Sequence, residues 1–125
     1  MWFWILMFIC NLLIPLLMIA VGNMMYKHPP KKINRVYGYR TNRSRKNEET
    51  WKFAHDYCGR LWFKWGCILI IPTIIAMLLI VHSNDNVIGI MTLIIESIQI
   101  IVLLGGIFLV ETALKKNFDD SGNPR

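Results

Sequence analysis

The residue best placed to do chemistry in this 125-residue chain is Glu96, which is the tenth residue of an apolar stretch over 87–110. An ionisable side chain near the middle of a membrane is costly, so it marks a candidate functional site. Thr92, Gln99 and Gly106 lie four residues before it and three and ten residues after it, which places them on one helical face.

Two other apolar stretches carry a polar residue near mid-depth, Asn11 in the first and Thr73 in the second. We therefore expect Asn11, Thr73, Glu96 and Gln99 to converge inside a helical bundle. In one interpretation they hold the helices together, at roughly 0.6–2 kcal/mol for each hydrogen bond. In the other, Glu96 grips a ligand or couples to a proton, and normal function in a Glu96→Gln variant would exclude that role.

Catalytic chemistry has no support in the residue pattern. The sequence contains no recognisable nucleophile–base arrangement, phosphate-binding loop or carboxylate pair, and two isolated ligands do not make a zinc site. We therefore predict no catalytic residues, no metal site and no cofactor, and a protein that is not an enzyme.

The elements that position these residues are predicted to be membrane spans. Hydrophobic residues make up 54% of the chain, and its charges are almost excluded from three apolar stretches. About 20 apolar residues are needed to cross a hydrocarbon core roughly 30 Å thick. The pattern predicts an all-α integral membrane protein with one domain over 1–125 and three transmembrane helices, at about 1–24, 64–82 and 87–111.

The loop over 27–63 is strongly basic, and residues 27–64 hold eleven Lys or Arg against three acids. By the positive-inside rule, we expect the loop and the C-terminus in the cytoplasm and the N-terminus outside. The basic residues either only set this topology or also attract anionic lipid headgroups, at about 1 kcal/mol each. We expect no nucleic acid partner and a frayed polar tail over 117–125.

The second half of the loop is predicted to be an amphipathic interfacial helix. Ser44 or Asn47 is a suitable N-cap, and Glu48 follows in the first turn. Apolar residues then recur every three to four residues, opposite charged ones. We expect this helix to lie between the first and second spans and to turn near Gly59.

Residues 34–59 carry the most specific pattern, a G-Y-R-T turn followed by a short helical motif. Its residues are Asn34, Tyr37, Gly38, Tyr39, Arg40, Thr41, Asn47, Glu48, Trp51, Ala54 and Gly59. This pattern resembles the SdpI family, bacterial membrane proteins that include immunity factors against a secreted peptide toxin. The founding immunity protein is longer, so the resemblance covers the three-helix module alone.

The resemblance implies a multi-pass protein of the bacterial cytoplasmic membrane that protects against, or senses, a membrane-active peptide. A second hypothesis is a small proton-coupled transporter that uses Glu96. A third is a membrane adaptor that recruits a cytosolic regulator to the basic loop through Arg40. A homo-oligomer is expected in the first two, because three helices enclose little volume.

Overall fold

The computed structural model describes residues 1–34 and 38–125, and the described residues form three helices. Helix α1 covers Trp2–Lys27, α2 covers Glu48–Leu79 and α3 covers Asp85–Asn117. Each is long and apolar enough to cross a membrane. The predicted all-helical, multi-pass membrane architecture is therefore confirmed.

The outer surfaces of the three helices are covered by large apolar side chains. Leu17 is 58% exposed on α1, Ile71 is 62% exposed on α2 and Leu93 is 69% exposed on α3. Exposed patches of this extent are rare on soluble monomers, whereas hydrocarbon is a suitable solvent for them. The bundle therefore presents a lipid-facing exterior around a narrow interior.

Helix α2 begins as the sequence predicts, with Asn47 as its N-cap. The side chain of Asn47 accepts the N–H of Thr50 at 2.9 Å, and the Thr50 hydroxyl accepts the N–H of Asn47 at 3.0 Å. Glu48 follows in the first turn, where the helix dipole favours an acid.

The predicted turn near Gly59 is wrong, because α2 continues without a break to Leu79. The described residues therefore form no separate helix between the first and second spans. Gly59 is instead a contact point with α1. A Cβ atom on Gly59 would lie 2.6 Å from the backbone nitrogen of Tyr26, and one on Gly22 would lie 2.8 Å from the Gly59 carbonyl oxygen. Small residues allow membrane helices to approach this closely, so the glycine joins two helices rather than ending one.

The C-terminal tail packs against the helices and the loop, which contradicts the frayed tail expected from the sequence. Phe118 is buried against Phe53, with ring centroids 5.4 Å apart. The Asn47 amide donates to the carbonyl of Gly122 at 2.7 Å, and Arg43 pairs with Asp120 at 3.2 Å. These contacts place the loop and the tail at the same end of the bundle.

Candidate functional site

The segment between α1 and α2 folds back onto the helices, and we call its described residues, 28–34 and 38–47, the docked loop. Its turn depends on Gly38, which has a φ of +98°. A Cβ atom there would lie 2.6 Å from Nε2 of His55 and 3.0 Å from Cγ of Pro30. Glycine is required both by the backbone conformation and by the space. Tyr37 lies outside the described residues.

His55 fastens this turn to α2. The backbone N–H of Tyr39 donates to Nε2 of His55 at 3.0 Å, and Nδ1 lies 2.8 Å from the carbonyl oxygen of Trp51. Because Nε2 accepts, the hydrogen-bond network assigns the ring proton to Nδ1, which donates to Trp51. The imidazole is fully buried, and burial lowers its pKa. His55 therefore acts as a neutral clamp.

Trp51 contacts both His55 and the docked loop. Its indole N–H donates to the carbonyl of Pro30 at 2.8 Å, and its ring packs against His55 with centroids 4.3 Å apart and a tilt of 45° between the ring planes. Ala54 and Cys58 are fully buried on the same side of α2. The motif residues Trp51 and Ala54 thus belong to the face of α2 against which the docked loop packs.

Tyr39 connects the docked loop to the third helix. Its hydroxyl donates to Oε1 of Glu111 at 2.8 Å. Burial and the neighbouring Glu111 carboxylate raise the pKa of Tyr39, which keeps the phenol protonated as a donor. Tyr39 therefore contacts α2 through its backbone and α3 through its side chain.

Hydrogen bonds also brace the end of the turn. The Thr41 N–H donates to Oγ of Ser44 at 2.9 Å, and the Ser44 hydroxyl lies 3.0 Å from the Tyr39 carbonyl. The Thr50 hydroxyl lies 3.0 Å from the carbonyl of Ser44. This chain of contacts joins the G-Y-R-T turn to the first turn of α2.

The remaining motif residues are more exposed. Arg40 is exposed and lines a cavity with Gly38, Tyr39 and Thr41, and Glu48 is exposed in the first turn of α2. The Asn34 amide donates to the carbonyl of Lys32 at 3.1 Å. Arg40 therefore lies at the surface of the docked loop, Asn34 is partly exposed there, and Glu48 lies at the surface of α2.

The docking of the loop is expected to weaken in acid. Folded His55 has a pKa below its ordinary value of about 6.5, so the undocked state binds more protons. The contribution of neutral His55 to docking is complete above about pH 6.5. It is lost as the pH falls through the lowered pKa of His55 in the docked state. Limited proteolysis of the docked loop between pH 8 and pH 5 measures this loss.

Two histidine variants make the pH test specific. In the His55→Gln variant, the docked loop is expected to be cleaved faster at pH 8, and its cleavage rate is expected to lose most of its pH dependence. The His28→Gln variant alters an exposed histidine, and its cleavage rate is expected to keep the pH dependence of the unchanged protein. If cleavage of the His55→Gln variant kept the pH profile of the unchanged protein, the proposed role of His55 in docking would be contradicted.

A second group of polar residues lies inside the bundle. The Gln99 amide donates to the carbonyl of Asn11 at 2.9 Å and to the Thr73 hydroxyl at 3.0 Å. The Asn11 amide lies 3.4 Å from the Thr92 hydroxyl and 3.1 Å from the Met77 sulfur. The structure thus brings together three of the four residues expected to converge.

Glu96 is the fourth, and it stands apart from this network. It is half-buried, and its buried Oε1 has no hydrogen-bond partner among residues 1–34 and 38–125. The residues that tie the three helices together are therefore Asn11, Thr73 and Gln99, with Thr92 as an additional neighbour.

Gln99 also replaces a backbone hydrogen bond that is missing from α1. Pro15 has no N–H, so the carbonyl of Asn11, four residues earlier, lacks its helical partner. The Gln99 amide supplies the missing donor. In hydrocarbon an unsatisfied carbonyl is costly, and a side chain from a neighbouring helix is one way to satisfy it.

Gln99→Leu is expected to lower the free energy of unfolding in detergent by about 1–3 kcal/mol, because it leaves the Asn11 carbonyl without a donor. In a Pro15→Ala background the restored N–H satisfies that carbonyl, so the loss is expected to be smaller. Thermal unfolding of the four proteins in this cycle measures the difference. Equal losses in both backgrounds would show that Gln99 does not act through Pro15.

Sequence reasoning missed three contributors to the docked loop: Pro30, His55 and Glu111. His55 lies four residues after Trp51, a spacing that signals a shared buried face. Glu111 follows the third apolar stretch and has no such local signal. No group of three His, Cys, Asp or Glu side chains in the described part of the chain is arranged to hold a metal ion.

Comparisons with known proteins agree with the motif. The model of the SdpI/YfhL protein family matches residues 31–110, well over half of the chain. The uncharacterized protein YfhL of Bacillus subtilis (strain 168) is 42% identical over 53 residues, which is 42% of this chain and 48% of that relative. The match thus covers about half the length of the curated relative. No solved structure matches. On the extent of the family match, the chain belongs to the SdpI/YfhL protein family.

Proposed function

We propose that this chain is an immunity-type protein of a bacterial cytoplasmic membrane, which protects that membrane against a membrane-active peptide. The observation that carries the proposal is the docked loop, which lies almost entirely within the matched family region. A loop that only set topology would need basic residues and no fixed shape. This loop is held by Gly38, His55 and Trp51 through buried contacts.

The fixed shape of the loop matters for recognition. Ordering a flexible segment on binding costs about 0.5–1.5 kcal/mol for each immobilised side chain, and a docked loop avoids part of that cost. Its outer surface presents Arg40 beside Thr41, and both line a cavity with Met25 of α1 and Ile107 of α3. We propose this surface as the contact region for a toxin peptide or for the lipid that such a peptide disturbs.

The proposed orientation has the docked loop and the C-terminal tail in the cytoplasm and the N-terminus outside. The excess of Lys and Arg in the loop supports it through the positive-inside rule. The first turns of α2, with Lys52, Asp56 and Arg60 exposed, would then lie at the headgroup level. Replacement of Cys10, Cys58 and Cys67 by serine allows single cysteines to be introduced at Lys32→Cys and at Met1→Cys after an added start Met, and labelling of intact cells with a membrane-impermeant thiol reagent tests the orientation. Labelling of position 32 alone would contradict it.

Peptide sensitivity tests the function. Bacteria that carry the gene are expected to survive at least one member of a panel of membrane-active peptides at doses that kill cells without it. Arg40→Ala is expected to reduce survival, and Lys32→Gln serves as a control that removes one exposed loop charge. Unchanged sensitivity across the panel would contradict the proposal.

Glu96→Gln is expected to protect cells as well as the unchanged protein does. The residues that join the three helices are Asn11, Thr73 and Gln99, and Glu96 is outside their hydrogen bonds. The measurement is the same survival assay at matched protein levels. Loss of protection in this variant would assign an ionisable role to Glu96.

A further inference from the structure

Within the C-terminal tail, residues 118–125 fold into a compact turn directly after α3, and we call this segment the strap. The Asp119 carboxylate accepts the backbone N–H groups of Ser121 and Asn123, both at 2.9 Å. The Arg125 guanidinium donates to one carbonyl in the last turn of α3 at 2.8 Å and to one at the start of the strap at 3.0 Å. Carbonyls at a helix end need such donors, so the strap has a fixed shape and is joined firmly to α3.

Asn47 belongs both to the strap contact and to the start of α2. Its Oδ1 accepts the N–H of Thr50 at 2.9 Å as the helix cap, while its Nδ2 donates to the carbonyl of Gly122 at 2.7 Å. The two contacts therefore require the same orientation of the amide. Gly122 has a φ of +90°, and a Cβ atom there would lie 2.7 Å from Nδ2 of Asn47. The strap thus closes directly on the residue that begins α2.

A chain of hydrogen bonds connects Asn47 with the G-Y-R-T turn of the docked loop. The Thr50 hydroxyl accepts the Asn47 N–H and lies 3.0 Å from the carbonyl of Ser44. The Ser44 hydroxyl lies 3.0 Å from the carbonyl of Tyr39, whose own hydroxyl donates to Glu111 of α3. Helix α3 therefore holds the docked loop at two places, through Glu111 at the turn and through the strap at the start of α2.

The strap contacts are more accessible than the contacts that anchor the turn to α2. His55 and Trp51 are fully buried, whereas the side chains in the ion pair between Arg43 and Asp120 are 32% and 86% exposed. Water and salt compete with an exposed ion pair, and segments with few buried contacts open more readily than the core does. We therefore expect the strap to open more readily than the anchored turn.

We propose that the strap controls docking of the loop, so that a closed strap favours the docked loop and a released strap favours undocking. The coupling passes through Asn47 and the hydrogen bonds that lead from it to Tyr39. Coupling of this kind is reciprocal, so undocking of the loop also favours release of the strap. A molecule that binds the released strap then also favours the undocked loop. This control goes beyond the proposed function, and its test contains no toxin peptide, so either can fail without the other.

Limited digestion with chymotrypsin, applied to the purified protein in detergent, reports on the strap and on the loop together. The protease cleaves after aromatic residues, and the loop and the strap carry the buried aromatics Tyr39 and Phe118. Each site is cut only when its segment opens, and mass spectrometry assigns the cleavage sites. When opening is fast relative to cleavage, each rate follows the open population of its segment.

Gly122→Ala is expected to release the strap, because its φ is unfavourable for alanine and the new Cβ atom would meet Asn47. Cleavage after Phe118 is expected to rise about tenfold, and cleavage after Tyr39 at least about fivefold. The matched control is Ser121→Ala, which changes an exposed side chain of the strap and is expected to leave both rates unchanged. If cleavage after Tyr39 keeps its rate in Gly122→Ala, whatever happens at Phe118, the proposal is overturned.

Asn47→Asp separates the strap contact from the helix cap. A carboxylate at this position still accepts the Thr50 N–H and is a preferred cap, but it has no donor for the Gly122 carbonyl. We expect faster cleavage at both sites, with the helical circular dichroism and the thermal midpoint of the unchanged protein. Cleavage at the rate of the unchanged protein would overturn the coupling through Asn47.

Gly38→Ala tests the coupling in the opposite direction, because Gly38 lies in the turn and makes no contact with the strap. Since the coupling factor is the same in both directions, cleavage after Phe118 is expected to rise at least about fivefold when the loop undocks. If the loop opens in this variant while cleavage after Phe118 stays as slow as in the unchanged protein, strap and loop are independent and the proposal fails.

Discussion

Replacement of Gly38 by alanine is expected to undock the loop and to abolish protection against a membrane-active peptide. The φ of Gly38 is +98°, which a residue with a Cβ atom adopts only at a cost of about 1–3 kcal/mol. The new Cβ atom would also lie 2.6 Å from Nε2 of His55, the atom that accepts the Tyr39 N–H. One substitution thus strains the turn and disrupts the hydrogen bond between the Tyr39 N–H and His55.

The measurement is the rate of proteolysis within the docked loop in detergent or liposomes. A loss of 1.4 kcal/mol in docking raises the open fraction about tenfold, so we expect cleavage at least about tenfold faster. The matched control is Gly105→Ala, because a Cβ atom on Gly105 meets nothing within 4 Å. That change is expected to be neutral or to stabilise α3 by up to about 1 kcal/mol. Equal cleavage of both variants would contradict the role of Gly38.

Replacement of Gly59 by alanine is expected to have the second largest effect, on the bundle itself. A Cβ atom on Gly59 would lie 2.6 Å from the backbone nitrogen of Tyr26 and 2.7 Å from the carbonyl oxygen of Gly22. Backbone atoms cannot move aside as side chains do, so α1 and α2 must separate. Overpacking of this kind costs about 1–3 kcal/mol, and the loss of hydrogen bonds between the helices adds to it.

Thermal unfolding in detergent measures the effect of Gly59→Ala, and we expect a lower midpoint than for the unchanged protein and for Gly105→Ala. Gly59→Leu is expected to lower the midpoint further, because a larger side chain widens the gap between the helices. If Gly59 instead served to end a helix, alanine would lengthen the helix and raise the midpoint. An unchanged or raised midpoint would therefore contradict the packing role.

The sequence by itself determined the features that depend on local composition. Apolar length alone predicted three spans, because about 20 residues are needed to cross a bilayer. The start of α2 at Asn47 was also predictable, since a cap involves only the next three residues. Gly38 stood out within a specific motif, although the sequence did not reveal which neighbour required a glycine there.

Only the tertiary structure decided which distant groups meet. Tyr39 contacts Glu111, 72 residues away, and Gln99 satisfies the carbonyl that Pro15 leaves open in α1. The unbroken path of α2 through Gly59 has the same origin, since the space that makes glycine necessary is created by the backbone of α1. Hydropathy and capping act within a few residues, whereas these contacts depend on how three helices pack, so no single stretch of the chain could specify them.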